Sequence, residues 1–264
     1  MHGRTREIRL AEALVESADT LVDGFEAAHY LSGVADHCVG VLAAWGAGFM
    51  LIDDGRAVSL AAGGADREVA LELLRAQYGG GPCLDSYSSG RPVPPVSIRA
   101  ARTDSRWPEF TERALAHDIA TTYAVPLRRR GRLLGALNVF GAAHAGDSRS
   151  EDSRSEEGTA LRLAQLLADC AALGLENNTA YVQCRTLAGQ LQQALSSRVR
   201  IEQAKGMLAE RWRTTADHAF VAMRQYARRR RLPLDRVAQE VIDRVADDAE
   251  LRREAGPADD EGRA

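Results

Sequence analysis

TTYAVPLRRRGRLLGALNVFG, residues 121–141, is the stretch on which the fold turns. Two apolar runs, TTYAVPLRR (121–129) and RLLGALNVFG (132–141), flank Arg130-Gly131, and such a pair predicts a β-hairpin. Upstream, AGFMLIDD (47–54) and AVSLAAGG (57–64) meet at Asp54-Gly55, a second hairpin signal. VPPVSI (93–98) reads as a strand entered through prolines, hence at a sheet edge or a strand start. Helical spacing of apolar residues marks 7–44, 67–77 and 106–118, with Pro108 suited to a first helical turn. The order is helix, hairpin, helix, strand, helix, hairpin, helix. Strands grouped by local hairpins predict an α+β fold with a largely antiparallel central sheet flanked by helices.

The second half reads differently. HAGDSRSEDSRSEEG (144–158) is polar and predicts a loop. From Thr159 to about Glu210 there is no proline, and the chain reads as one long helical tract with a first stripe of Leu161, Ala164, Leu167, Ala168, Ala171 and Leu175. Farther on, Ala180, Cys184, Leu187, Leu191 and Ala194 alternate by fours and threes. That seam fits a coiled coil of two repeats or a connector helix packed on its own domain. Three short helices follow, at 198–210, 215–229 and 233–246, with Thr215 as an N-cap and Pro233 in a first turn. Their stripes, which include Ile201, Ala204, Leu208, Ala219, Phe220, Met223, Ala227 and Ala238, predict an all-α three-helix bundle. Residues 247–264 read as a flexible tail.

The 264 residues are 45% hydrophobic and 27% charged, enough for two domains with real cores. No apolar run approaches the ~18 residues a membrane span requires, and the charged N-terminus has no secretory h-region. Four scattered cysteines (38, 83, 170 and 184) without a C-x-x-C pair argue against a zinc site or a disulfide framework, and fit a cytoplasmic protein. The net charge of −3 hides a split: residues 198–245 hold twelve Lys and Arg against six Asp and Glu, which leaves −9 on the rest. A basic C-terminal module on an acidic body suggests a polyanionic partner for that module.

Catalytic chemistry is not indicated: there is no G-x-S-x-G, no H-E-x-x-H, and the six histidines show no metal spacing. YGGGPC (78–83) lacks the Gly-Lys-Ser/Thr ending of a phosphate loop and precedes a proline and a strand-like segment. Cys83 has no basic neighbour in sequence to lower its pKa and reads as a small buried residue beside a tight turn. The basic module offers more. Arg198 and Lys205 lie within about 20° on one helix, Arg224 and Arg228 share a face four residues apart, and Arg228–Arg231 form a continuous run. Four consecutive arginines exceed what a helix dipole calls for and suit phosphate forks and base stacking. Lys205 is the chain's sole lysine, which suggests a position where a compact ammonium is needed.

The stretch SRVRIEQAKGMLAERWRTTADHAFVAMRQYARRRRLPLDRVAQEVID (197–243) resembles the ANTAR domain, the RNA-binding antiterminator module of bacterial regulators. The resemblance implies a three-helix bundle that binds paired RNA stem-loops. Ala204, Ala219, Ala227 and Ala238 match packing positions, and Arg198 and Lys205 match polar ones. RWRTT (211–215) departs from the family, whose members commonly place a glycine in that turn. QYGGGPCLDSYSSGRPVPPVSI (77–98), RWPEFTERALAHDIATTYAVPLR (106–128) and GRLLGALNVFG (131–141) resemble a GAF domain of the kind fused to ANTAR in actinobacteria. That likeness implies a sensory domain with a pocket for a small molecule it does not name, often dimerised through flanking helices. The N-K-x-F-D motif of cyclic-nucleotide binders is missing. The expected layout is a GAF-like domain at 1–176, a helical connector at 177–197, an ANTAR bundle at 198–246 and a tail at 247–264. The expected function is a homodimeric, cytoplasmic antitermination regulator that is no enzyme, with RNA contacts from Arg198, Lys205, Arg224, Arg228 and Arg229, and needing no metal or fixed cofactor. A DNA-binding transcription factor and a protein-binding signalling module remain the alternatives, the first separable by competition with duplex DNA and the second by salt dependence.

Overall fold

A computed structural model describes residues 2–142 and 151–254. The chain divides into two compact units, Met1–Tyr181 and Val182–Ala264. The first opens with helices α1 (His2–Ala18) and α2 (Ala27–Leu42), followed by strands β1 (Gly46–Asp53) and β2 (Arg56–Gly64). Asp54 and Gly55 join the strands with φ of 47° and 76°, the two left-handed residues of a turn whose twist matches that of its strands. Helices α3 (Arg67–Arg75) and α4 (Pro82–Ser89), strand β3 (Val93–Ser97) and helices α5 (Ile98–Thr103) and α6 (Pro108–Ala116) come next. Strands β4 (Ile119–Arg129) and β5 (Arg132–Ala142) close on Arg130 and Gly131, at 48° and 81°. Both hairpins predicted from sequence are present, and every strand pair is antiparallel, in the order β2-β1-β5-β4-β3. β3 is an edge strand, and its register slips between Val93 and Val96, where Pro94 and Pro95 have no N–H to donate.

The sheet is the middle of three layers. Phe49, Val125, Leu137 and Val139 pack on one face with α1, α2 and the start of α7 (Glu151–Trp212). Met50, Ile52, Ala124, Ala136 and Phe140 pack on the other with α3 to α6. This is the alternation expected of strands whose two sides are both covered. Arg129 donates to Glu176 at 2.7 Å and ties the second hairpin to α7. Gly63 in β2 lies so near α2 that a Cβ there would stand 2.3 Å from the Asp36 nitrogen and 2.6 Å from the Ala35 carbonyl carbon.

The second unit contains the end of α7, then α8 (Ala216–Arg230), α9 (Leu234–Ile242) and α10 (Asp248–Glu254). Its core joins Ala204, Leu208, Trp212, Ala219, Ala222, Met223, Tyr226, Ala227, Val237, Ala238, Val241 and Leu251. Thr215 caps α8 by accepting from the His218 N–H, whereas Pro233 stands one residue before α9 as its N-cap. Helices α7, α8 and α9 end alike. Thr214 N–H donates to Ala209 O, Leu232 N–H to Ala227 O and Val245 N–H to Glu240 O. The intervening Arg213, Arg231 and Arg244 take φ of 54°, 53° and 60°. This is the Schellman closure, in which glycine is the usual left-handed residue.

Three sequence expectations are corrected. Residues 151–158, read as loop, are the first turns of α7, while 144–150 lie outside the described residues. The segment after YGGGPC is helix α4 rather than strand-like, because Pro82 supplies a pre-set first-turn φ and Gly90 a left-handed stop at 63°. Part of the presumed tail is α10: Leu251 is fully buried, and Trp212 Nε1 donates to Asp248 Oδ2 at 3.0 Å. Residues 255–264 of that tail lie outside the described residues. Among the described residues no helix is long and apolar enough to cross a membrane.

Two substitutions test this packing by thermal denaturation. Gly63→Ala forces α2 off the sheet, and we expect it to cost about 2 kcal/mol and roughly 5 °C in Tm. Arg213→Gly relieves a left-handed arginine, and we expect a gain of about 0.5–1 kcal/mol, since relief of strain exceeds glycine's extra unfolded entropy.

Candidate nucleic-acid interface

The basic module holds its cations in two ways. Arg200 reaches Asp235 at 2.8 Å, Arg211 reaches Asp248 at 2.9 Å, and Arg236 pairs with Glu240 at 3.3 Å. Arg229 lies 2.5 Å from Glu250 and 2.6 Å from Glu254, and Arg230 also pairs with Glu250. The hydrogen bond from Arg230 holds the Glu250 carboxyl below the usual carboxylate range. Arg229, expected from sequence among the RNA contacts, is thus placed against α10. The partners lie 21 and 25 positions downstream, beyond the reach of helical periodicity.

Lys205 is largely covered. Its ammonium sits 3.0 Å from Glu202 and 5.3 Å from the Phe220 ring centroid, with 15% of the side chain exposed. An ammonium over an aromatic face gains from the ring quadrupole. Phe220, expected within the bundle packing, is only half-buried and lies outside the core cluster. Ala204, Ala219, Ala227 and Ala238 lie in that cluster, and Ile201 packs against it.

Among the described residues Arg198, Arg213, Arg224, Arg228, Arg231 and Arg244 have no carboxylate within 4 Å. Arg213, Arg231 and Arg244 occupy the three left-handed helix ends, where a cation also suits the C-terminal dipole. That leaves Arg198 on α7 and Arg224 and Arg228 on α8, all exposed. Arg224 and Phe220 are one turn apart on the same side of α8, as are Arg224 and Arg228. Lys205 over Phe220 therefore joins the two helices beside this row. The arrangement offers exposed guanidiniums, an aromatic ring and a seated ammonium, which suits phosphate and unstacked bases.

The first unit buries polar groups on the α3–α6 side of its sheet. Thr122 Oγ1 donates to Asn138 Oδ1 at 2.7 Å, and both residues are fully buried, while Asn138 Nδ2 has no partner. Gln77 Oε1 accepts from the Cys83 N–H at 2.9 Å, and its Nε2 donates to Leu73 O. The Gln77 amide thereby occupies the start of α4. A Cβ at Gly81 would lie 2.4 Å from Gln77 Cγ, so the glycine-rich turn makes room for this cap rather than for a phosphate. Burial alone pushes the Cys83 thiol well above its ordinary value, and burial also raises Cys38. Among the described residues no cluster of His, Cys, Asp or Glu could hold a metal.

The GAF domain family matches residues 29–176, and the ANTAR domain family matches residues 189–242. No curated protein matches the chain. Among solved structures, a GAF domain from A. aeolicus NLH2 in an inactive state is 13% identical, covers 65% of this chain and 98% of its own, and has a TM-score of 0.44. A domain of a two-component sensor histidine kinase protein from Sinorhizobium meliloti 1021 is 20% identical over 60% of this chain and 95% of its own, with a TM-score of 0.40. Free methionine-R-sulfoxide reductase from Neisseria meningitidis, in complex with its substrate, is 17% identical over 65% and 92%, with a TM-score of 0.41.

At pH 8, iodoacetamide should leave Cys38 and Cys83 unmodified in the native protein and label both once urea is added. Labelling of native Cys83 within minutes, read by mass spectrometry, would show that this thiol meets solvent.

Proposed function

We propose, since the chain belongs to the GAF domain family and carries an ANTAR domain behind it, that this regulator is an RNA-binding antiterminator governed by its sensory unit. The observation that carries the reading is the residual charge of the second unit. Within the basic segment 198–245, once ion pairs and left-handed helix ends are assigned, Arg198, Arg224 and Arg228 remain, exposed and beside Lys205 and Phe220. Phosphate contacts by these arginines supply affinity, and unpaired loop bases supply specificity, because an A-form stem hides its major-groove edges. Lys205 acts from its seat on Glu202. Arg229 is assigned instead to orienting α10. Paired stem-loops call for two bundles, so the working species is a homodimer, acting in the cytoplasm where transcripts form. A small-molecule signal is received on the α3–α6 side of the sheet, where the spare Asn138 amide donor awaits an acceptor.

The test is a titration of the purified protein against a two-stem-loop RNA, a single stem-loop and duplex DNA at matched salt. Preference for the paired stem-loops supports the reading, and equal binding of all three overturns it. Arg224→Ala and Arg228→Ala should each weaken RNA binding about tenfold and lower the salt slope by about one unit, with Tm unchanged. Lys205→Ala should weaken binding with folding intact, and an unchanged affinity removes Lys205 from the interface.

A further inference from the structure

The tip of the second hairpin, RRRGR (128–132), holds four arginines and no acid. Residues 1–181 carry eighteen arginines against twenty-four aspartates and glutamates, so the tip is a basic point on an acidic unit. Turn chemistry does not call for it. The first hairpin makes the same left-handed turn with Asp54, a residue such turns favour, whereas the second uses Arg130 at 48°. Pairing does not call for it either. Arg129 stands directly opposite Arg132 in the ladder, where like charges repel. Glu176 accepts from Arg129 Nε at 2.7 Å and lies 3.6 Å from Arg130 Nη1, yet 77% of the Arg130 side chain stays exposed. Arg128 and Arg132 are exposed, with no carboxylate within 4 Å among the described residues. Asp53 and Asp54, on the hairpin whose strand β1 borders β5, make no ion pair with the tip at that distance.

Arg91 stands at the same end of the sheet. Its carbonyl accepts from Ser86 Oγ at 3.0 Å and its N–H donates to Ser89 Oγ at 3.3 Å, which fixes its backbone at the end of α4. Gly90 beside it faces Leu133, the register partner of Arg128: a Cβ on Gly90 would lie 3.8 Å from Leu133 Cδ1. The Arg91 residue is exposed.

We infer that this hairpin tip is a second RNA-binding surface, on the first unit, which grips the phosphate backbone. The inference rests on the reading that the chain's partner is RNA, and adds a contact outside the basic bundle. Each guanidinium offers a planar fork that matches two phosphate oxygens. A nucleic-acid strand presents charge at regular short intervals, which suits a row of forks left without carboxylates. The acidic remainder of the unit repels a polyanion and favours its approach at this end. The tip has no aromatic residue for bases to stack on, so its contact supplies affinity without sequence preference.

The full chain is titrated with the two-stem-loop RNA over a salt series, as wild type, as Arg128→Gln/Arg130→Asn/Arg132→Gln and as Arg224→Ala/Arg228→Ala. Arg129 stays because it holds Glu176. Asn before glycine is a preferred pair for this turn, so the tip variant should keep or raise its Tm. Its RNA affinity should fall about tenfold and its salt slope by about two to three units, by the same amount when the loop bases are exchanged. Arg128→Lys/Arg132→Lys, which keeps the charge, should hold the wild-type slope. Full affinity and slope in the folded tip variant overturn the inference. Loss in the tip variant with none in Arg224→Ala/Arg228→Ala overturns the bundle as the RNA interface and leaves the tip standing. A tip variant that keeps its RNA affinity but loses retention on polyglutamate gives the surface to an acidic protein, and overturns the inference too.

Discussion

Burial of the small-residue stripe of α7 against the sheet is the constraint on which the rest depends. Alanines at 164, 168, 171 and 172 let the helix approach closely, and Leu167 fills the space between them and the β4–β5 face. Once that side of the helix is committed inward, the azimuth of the other α7 residues in the first unit is set by the 100° step of the helix. The outward placing of Leu166 and Leu173 inherits that choice. The Arg129–Glu176 pair only reinforces it, since a partly exposed ion pair contributes at most about 1 kcal/mol.

Charge in the second unit is organised by a division of labour. Exposed ion pairs stabilise little, so the Arg229 and Arg230 contacts with Glu250 orient α10 more than they hold it. Docking comes from Leu251 in the core and from the Trp212–Asp248 hydrogen bond. Three further arginines close helices at left-handed positions, where a side chain larger than glycine's costs on the order of 1 kcal/mol. With these roles subtracted, the charge open to a polyanion is a short row on two helices and not the whole basic segment. The first unit follows a parallel logic with polar groups: Gln77 is spent on the start of α4, whereas Asn138 keeps one donor unspent.

Much of this was legible in the residues themselves. Asp54-Gly55 and Arg130-Gly131 announce their hairpins because two left-handed residues are a local requirement that few dipeptides meet. Pro94 and Pro95 mark an edge strand for an equally local reason, the missing donors. The alanines of the bundle and the inward stripe of α7 were readable as period 3.6, and Arg198, Arg224 and Arg228 as cations beside the bundle's own stripes. Helix α10 was not, because a segment with Leu251 as its one large apolar residue among charges carries no periodic signal. Nor was α4, whose N-terminal cap is the Gln77 side chain, held outside the helix by the turn that Gly81 permits.

Sequence alone determined which faces of the strands and longer helices are apolar, where the two hairpin turns fall and which module is basic, since these follow from side-chain chemistry within a few residues of each position. Only the tertiary structure decided what covers each face. It set Arg229 on Glu250 and Glu254, seated Lys205 beside Phe220 and drew that ring out of the bundle core. It also showed that one stripe of α7 is consumed by the sheet while the other is left open. Pairings of that kind depend on which helices meet, and contact between residues far apart in the chain has no period to read.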